Sequence, residues 1–308
     1  IGGSVYGGGL GRKAGENVTE VAAAVNGVVT VNIGAAPVSP STVYTGEATI
    51  NGSVFGCNNT NGTPKDNVTV NIYKTKRTEG TNTVDDEGFA LSQVFGGGNE
   101  AHYQPASTGK KAIVHVWTCD NTIQYVYGGG NAANVGTDGD GNIKSATDVI
   151  IDGGRIEWLF GGGNGAGTGN PGANIYGNVN VTYHAGDLTY LFGGSNEKGN
   201  ISGTKTMDIL ADGVCPTKHI AELYGGSNMA PIDGGGNLTM SCPENLCDID
   251  ALFGGSRNAD ISGNVTLTVI GGQYDKVFGG NNIGGTISGN VTLNLYGGAI
   301  NHAFAGNN

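Results

Sequence analysis

The chain contains 308 residues, of which 59 are glycine and only 13% are charged, and its formal net charge is −11. Glycine follows no three-residue period, which excludes collagen, and the apolar content of 37% is too high for a disordered chain. An acidic chain lacks the basic surface that nucleic-acid binding needs, and no apolar run approaches the roughly 18 residues that cross a bilayer, so neither a nucleic-acid partner nor membrane insertion is expected.

A short phrase recurs along the whole chain. An aliphatic residue precedes an aromatic one, a glycine-rich turn follows, and asparagine commonly stands four residues after the aromatic position. The aromatic position occurs ten times, at Tyr6, Phe55, Phe95, Tyr127, Phe160, Phe192, Tyr224, Phe253, Phe278 and Phe304. The spacing shortens from 49 residues at the N-terminal end to 25 and 26 residues at the C-terminal end. Such a period is typical of solenoid proteins.

Within each repeat, apolar and polar residues alternate, which predicts a strand with one buried face. The alternation is seen at Val29-Val31-Ile33, Val68-Val70-Ile72, Val179-Val181-Tyr183, Val265-Leu267-Val269 and Val291-Leu293-Leu295. A second short strand leads into the aromatic residue, and a third is centred on the TISG or NISG segment. The predicted fold is all-β: a single-stranded right-handed parallel β-helix, or β-solenoid, of about ten coils with three short strands each. Residues 1–308 are expected to form one domain.

The asparagine after each aromatic residue predicts a ladder at a turn of the coil. Equivalent side chains of stacked coils lie directly above one another, so their amides can hydrogen-bond along the rod. The expected members are Asn99, Asn131, Asn164, Asn196, Asn228 and Asn282. Phe253 is the exception, because Arg257 holds that place and Asn258 follows.

Two long insertions lie near the N-terminal end. Residues 10–53 form either an N-terminal cap or an insertion, and residues 74–88 form an inserted loop. Insertions in a solenoid project from one corner and often carry the binding surface, although a tolerated surface loop is the alternative.

Aromatic residues occupy one further position on three consecutive coils. Tyr125, Trp158 and Tyr190 each stand two residues before the repeating aromatic residue, where other coils carry charged residues. Charge at that position indicates contact with water, so the three rings are predicted to form a flat, ligand-binding strip on which sugar rings stack. In the alternative, the rings turn inward or cover the hydrophobic shoulder of the rod.

Carboxylates three residues before the aromatic position suggest catalytic chemistry. Glu157, Asp250 and Asp275 stand there, the last two on consecutive coils. Paired carboxylates are what a glycoside hydrolase needs, and a β-helix lyase adds a basic residue and calcium. Lys276 stands beside Asp275, but no arginine accompanies the acids at a matching position. A solvated, charged turn is the alternative, and no residue is assigned a catalytic role.

One loop has the spacing of a calcium site. Asp138, Asp140 and Asn142 match the first, third and fifth positions of a calcium-binding loop. Ile143 stands where such a loop needs glycine, and Val149 where it needs glutamate. Calcium is the one cofactor that the sequence suggests, and a turn rich in glycine and aspartate is the alternative.

The five cysteines are Cys57, Cys119, Cys215, Cys242 and Cys247. Their odd number rules out complete pairing within the chain. Buried free thiols are expected, with one disulfide among the last three as the alternative.

The aligned repeats ISGNVTLTVIGGQYDKVFGGNN and ISGNVTLNLYGGAINHAFAGNN resemble the right-handed parallel β-helix superfamily, which includes pectin-lyase-like proteins such as pectate lyases and many bacterial surface proteins. The tetrapeptides GGAI, FAGN and FGGN are similar to repeats of chlamydial polymorphic membrane autotransporters. VFGGGNEA, at residues 94–101, resembles repeats in large secreted or surface proteins of gut Bacteroidetes. These resemblances imply a secreted protein or one on the cell surface of a bacterium.

The functional expectation is a non-catalytic protein for adhesion or for binding an extended ligand, with an extracellular glycan or a host or bacterial surface protein as partner. One alternative is a polysaccharide lyase or glycoside hydrolase of the same fold. Another is a purely structural stalk that spaces other domains. Because neither a leader nor a cap is recognisable, the segment is expected to be part of a longer chain.

Overall fold

The computed structural model of the protein describes residues 1–39, 41–46, 48–75, 88–137, 143–167, 172–243, 246 and 248–308. These residues form 21 β-strands and no helix, so none of them belongs to a helix that could span a membrane. The strands pair in parallel, each with its equivalent in the neighbouring coils. The predicted right-handed parallel β-helix is confirmed, its hand following the rule for parallel crossover connections.

The first sheet contains one strand from each of ten coils, in chain order. Its strands are Val5–Tyr6, Val54–Phe55, Leu91–Phe95, Thr122–Tyr127, Arg155–Phe160, Gly186–Phe192, Lys218–Tyr224, Asp248–Phe253, Gln273–Phe278 and Ala299–Phe304. Every strand ends on the repeating aromatic residue, and the registers pair these residues from coil to coil. The ten sequence repeats therefore correspond to ten coils.

The second sheet carries the alternating strands and is interrupted once. Six strands form its longer part: Val29–Ile33, Val68–Ile72, Lys111–Val116, Ala146–Ile151, Val179–Tyr183 and Lys205–Ile209. Three more form the other part: Gly236–Met240, Val265–Val269 and Val291–Leu295. A short pair, Ala23–Val25 with Gly62–Pro64, completes the named strands.

The third strand of each coil is mostly reduced to a single bridging residue. Parallel bridges link Tyr103, Val135, Ile175 and Ile201 in one series, and Ile232, Ile261 and Ile287 in another. The neighbours of each bridging residue are mostly glycine and asparagine. Each coil therefore has one apolar side chain at this corner, and that side chain points to the core. Most of these side chains are buried.

Two separate apolar layers hold the coils together. The inward residues of the two sheets form the main core. The repeating aromatic residues form a second row outside it, in which neighbouring ring centroids lie 4.6–5.1 Å apart and ring planes tilt by no more than 13°. We call this row the aromatic ladder. Its rings are offset stacks, a favourable geometry for aromatic pairs.

The cysteines correct the expectation of free thiols. Cys119 and Cys215 form a disulfide with Cα atoms 5.6 Å apart, although 96 residues separate them in the sequence. Cys242 is also disulfide-bonded, whereas Cys57 is the buried free thiol that was expected. The coils bring residues that are distant in sequence to the same side of the rod, and cysteine spacing alone does not show this. Cys247 lies outside the described residues.

Candidate binding site at a break in the asparagine ladder

Tyr125, Trp158 and Tyr190 lie side by side, because the strand registers pair them across three consecutive coils. Their side chains are half-buried and pack against the aromatic ladder. The ring centroids of Trp158 and Tyr190 are 4.0 Å apart, and those of Tyr125 and Trp158 are 6.2 Å apart. The rings therefore stack on one another and cover the ladder, while part of each remains exposed. We call these three residues the aromatic shoulder.

The predicted asparagine ladder is present. Each amide Nδ2 donates to the Oδ1 atom of the preceding coil at 2.8 Å, from Asn99, Asn131, Asn164, Asn196 and Asn228, and again from Asn308 to Asn282. The series stops at Asn228, because the next coil has Arg257 in this column. Asn228 Oδ1 is left buried without a hydrogen-bond partner among the described residues. In the part of the chain that the structure describes, the ladder is thus broken between the coils of Asn228 and Asn282.

Arg257 fills the break and turns toward the aromatic shoulder. Its guanidinium carbon lies 5.6 Å from the ring centroid of Trp158 and 5.5 Å from that of Tyr190. Its Nε atom is buried and has no hydrogen-bond partner, and no carboxylate of the described residues forms an ion pair with it. Buried polar atoms are almost always hydrogen-bonded, so an unpaired guanidinium nitrogen beside exposed ring edges is unusual.

A hydrogen-bond relay lies next to this arginine. Tyr224 donates its hydroxyl proton to the Glu222 carboxylate, and Asn282 Nδ2 donates to the Tyr224 hydroxyl oxygen at 2.6 Å. Burial, followed by the hydrogen bond to Glu222, raises the pKa of Tyr224 well above its ordinary value. Tyr224 therefore stays protonated and donates to Glu222. Glu222 pairs with Tyr190 in the strand register, so it directly continues the shoulder.

Together these groups offer ring edges, a cationic donor and a carboxylate acceptor along one line of the rod. Such a combination suits a ligand with apolar faces and many hydroxyl groups, because each hydroxyl both donates and accepts. The sequence identified the shoulder as a binding site, but it gave Tyr224 and Asn282 structural roles only and gave Arg257 and Glu222 no role in binding. The substitution of arginine for asparagine in the repeat was the available signal.

The carboxylates proposed for catalysis do not form one cluster. Glu157 stands three coils before Asp250, which corresponds to about 14 Å at the usual strand spacing. Its Oε2 atom is buried without a partner. Asp250 contacts His219 Nε2 at 3.3 Å. On the following coil, Asp275 lies 3.8 Å from the Nζ atom of Lys276, the next residue of the same strand. Asp250 and Asp275 therefore stand at equivalent positions of adjacent strands, whereas Glu157 lies apart from them.

The calcium prediction falls on Asp138, Asp140 and Asn142, which lie outside the described residues. Within the described part of the chain, no group of three or more histidine, cysteine, aspartate or glutamate residues is arranged to hold a metal ion. The calcium site therefore stays a prediction from spacing. Most of the inserted loop predicted at residues 74–88 is likewise outside the described ranges.

Comparison of the chain with protein-family models, curated proteins and solved structures found no match. The assignment to the parallel β-helix fold accordingly rests on the strand order and registers of this chain.

Proposed function

We propose that this protein is a secreted or cell-surface bacterial β-helix of the pectin-lyase-like kind that binds an extended glycan, without cleaving it, for adhesion. The observation that carries the proposal is the break in the asparagine ladder. There, the Arg257 Nε atom has no hydrogen-bond partner among the described residues, and the guanidinium lies against Trp158 and Tyr190, with Glu222 next in line. An extended polymer lying along the rod would meet one such group per coil, about every 4.8 Å.

The disulfides support the proposed location. Structural disulfides form and persist in secreted, periplasmic and surface proteins and are rare in the reducing cytosol. Cys119 and Cys215 are paired, and Cys242 is disulfide-bonded as well. The resemblance of residues 94–101 to surface proteins of gut Bacteroidetes supports the same compartment and a bacterial source.

The acidic character of the chain limits the choice of glycan. With a net charge of −11, the protein as a whole repels polyanions, so a mainly neutral polymer fits better than a densely charged one. Arg257 is the local exception, and it can hold a carboxylate or a ring hydroxyl of one sugar residue. Neutral polymers with occasional acidic residues are therefore the favoured class.

The direct test is binding of the purified protein to an array that carries xylan, mannan, cellulose, chitin, polygalacturonate and chondroitin sulfate. The test variant is Tyr125→Ala/Trp158→Ala/Tyr190→Ala. Tyr296→Ala is the matched control, because Tyr296 is an exposed aromatic residue on another part of the rod. We expect the wild type and the control to bind the same polymer and the triple variant to lose it.

The outcomes separate the competing functions. Failure of the folded wild type to bind any polymer would overturn the glycan proposal and favour a stalk. Binding that the triple variant keeps would place the site elsewhere on the rod. Release of shorter oligosaccharides from the bound polymer, followed by chromatography, would favour the lyase or hydrolase instead. Because the shoulder packs on the aromatic ladder, the fold of each variant is checked by circular dichroism.

A further inference from the structure

A second aromatic cluster lies on the outward side of the other sheet. Ile72 pairs with Val116, so the residues that follow them, Tyr73 and Trp117, are neighbours on adjacent coils. Their ring centroids are 5.5 Å apart and the planes tilt by 34°. Trp117 Nε1 donates to Asn71 Oδ1 at 3.2 Å, which fixes the orientation of the indole ring.

The N-terminal insertion adds a third ring. Ala35 and Thr45 form an antiparallel bridge that turns the chain back over the sheet and positions Tyr44 beside Tyr73. The centroids of Tyr44 and Tyr73 are 6.1 Å apart, and the planes tilt by 30°. Tilts of 30–34° distinguish this cluster from the nearly parallel rings of the aromatic ladder. The three rings are half-buried, so each keeps an exposed part.

A carboxylate completes the cluster. Asp152 follows Ile151, which pairs with Val116, so Asp152 occupies the same column as Trp117 one coil further on. Its Oδ2 atom lies 2.8 Å from His115 Nε2, and the His115 ring stacks on Trp117 with centroids 3.7 Å apart. Burial, then the nearby charge of Asp152, raises the pKa of Tyr44.

We propose that Tyr44, Tyr73, Trp117 and Asp152 form a binding site for an organic ammonium cation of the quaternary type, such as choline. Aromatic faces attract cations through the ring quadrupole, and sites built from several rings are used to recognise quaternary ammonium groups. Asp152 supplies the opposite charge. His115 Nε2, 2.8 Å from Oδ2, and His184 Nε2, 3.9 Å from Oδ1, hold this carboxylate in position.

The overall charge and the position of the cluster support this choice of ligand. A net charge of −11 raises the local concentration of cations at the surface. A bare metal ion is less suitable, since the described residues contain no arrangement of ligands that could hold one. The cluster lies on the second sheet and the aromatic shoulder on the first, so this inference does not depend on glycan binding.

The two tryptophans of the chain make the test selective. Trp158 belongs to the shoulder and Trp117 to the cation cluster, so in a Trp158→Phe variant Trp117 is the only indole fluorophore. We expect choline to change the fluorescence of this variant in a saturable titration. The neutral isostere 3,3-dimethyl-1-butanol has the same shape without the charge, and we expect it to bind about tenfold more weakly or not at all.

Calorimetric titration of choline into single variants assigns the residues. Trp117→Leu should weaken binding by about tenfold or more, whereas Trp117→Phe, which keeps an aromatic ring, should retain most of it. Asp152→Asn should weaken choline and leave dimethylbutanol unchanged. Equal binding of choline and dimethylbutanol, or no binding of choline by the folded wild type, would overturn the proposal. Unchanged affinity in Trp117→Leu would also overturn it.

Discussion

Arg257 departs from the repeat at a position where asparagine would stabilise the rod. Asn228 and Asn282 stand in the same column on either side, and the amide of an asparagine there would donate to the unpaired Asn228 Oδ1 atom. The sequence instead has a guanidinium whose Nε is unpaired. Residues that depart from the pattern expected at their position are often part of a functional site. At such sites, function is retained at some cost in folding stability.

The glycines after the aromatic residues are required by close packing of the turns. A Cβ atom on Gly128 would lie 2.3 Å from the Gly161 carbonyl oxygen and 2.9 Å from Thr147 Cβ. We therefore expect Gly128→Ala to lower the free energy of unfolding by about 1–3 kcal/mol, as overpacked sites do. Urea titration followed by circular dichroism measures the difference.

Gly236→Ala is the matched control for this prediction. Gly236 also lies in the rod, but a Cβ atom there would have no neighbour within 4 Å. The free energy of unfolding of the Gly236→Ala variant should be equal to that of the wild type or slightly higher, because alanine lowers the conformational entropy of the unfolded chain. Equal losses in both variants would show that the turn packing does not explain the glycine content.

At the level of the strand, columns of equivalent side chains act across coils. His219 lies between Asp187, 2.9 Å from Nδ1, and Asp250, 3.3 Å from Nε2. Burial alone would lower the pKa of His219, but the hydrogen bonds with Asp187 and Asp250 outweigh it and raise the pKa above its ordinary value. When it is protonated, the His219 imidazole donates to carboxylates of the coils before and after it and so links three successive coils of the first sheet.

This raised pKa predicts a pH-dependent stability. The contribution of His219 should be complete below its ordinary pKa and should be lost as the pH rises through the raised value. His219→Gln should therefore lose more stability relative to wild type at about pH 5.5 than at about pH 9. The difference is expected to be up to about 1 kcal/mol, because the pair is partly exposed. A pH-independent difference in urea midpoints would contradict this account.

At the scale of the whole molecule, each coil contacts its neighbours, and the disulfide adds a link over a longer range. Cys119 lies on the fourth coil and Cys215 follows the second-sheet strand Lys205–Ile209, so the bond ties together a segment of 96 residues. Cys119→Ala/Cys215→Ala should lower the free energy of unfolding by about 2–4 kcal/mol, measured by urea titration. Addition of a reductant to the wild type should reproduce the loss. Identical midpoints for all samples would show that stacking alone sets the stability.

The repeat made the architecture predictable, because a recurring aromatic position and period-two alternation leave few other folds. The same periodicity identified the asparagine ladder and placed Tyr125, Trp158 and Tyr190 on adjacent coils. The orientation of these rings could not be derived, since both residues before the buried aliphatic position face away from the core. The sequence pattern predicted that the three rings form a flat, exposed strip, whereas the rings of Trp158 and Tyr190 stack on each other in the structure.

For a related reason, contacts between different columns of side chains could not be predicted from the sequence. The turn after the aromatic residue decides which column lies beside the shoulder, so the contact of Arg257 with Trp158 depends on backbone geometry that the repeat does not encode. Tyr44 reaches Tyr73 through an insertion of irregular length. The pairing of Cys119 with Cys215 depends in the same way on how many residues each coil contains.

The variant Arg257→Asn tests the role of the ladder break through its stability and its glycan binding together. The asparagine amide would donate to the unpaired Asn228 Oδ1 atom, and the guanidinium would be removed from Trp158 and Tyr190. We expect a free energy of unfolding about 1 kcal/mol higher than that of the wild type, together with loss of binding to the polymer that the wild type retains on the array. A variant that is more stable and binds the polymer as well as the wild type would contradict a binding role for the break in the ladder.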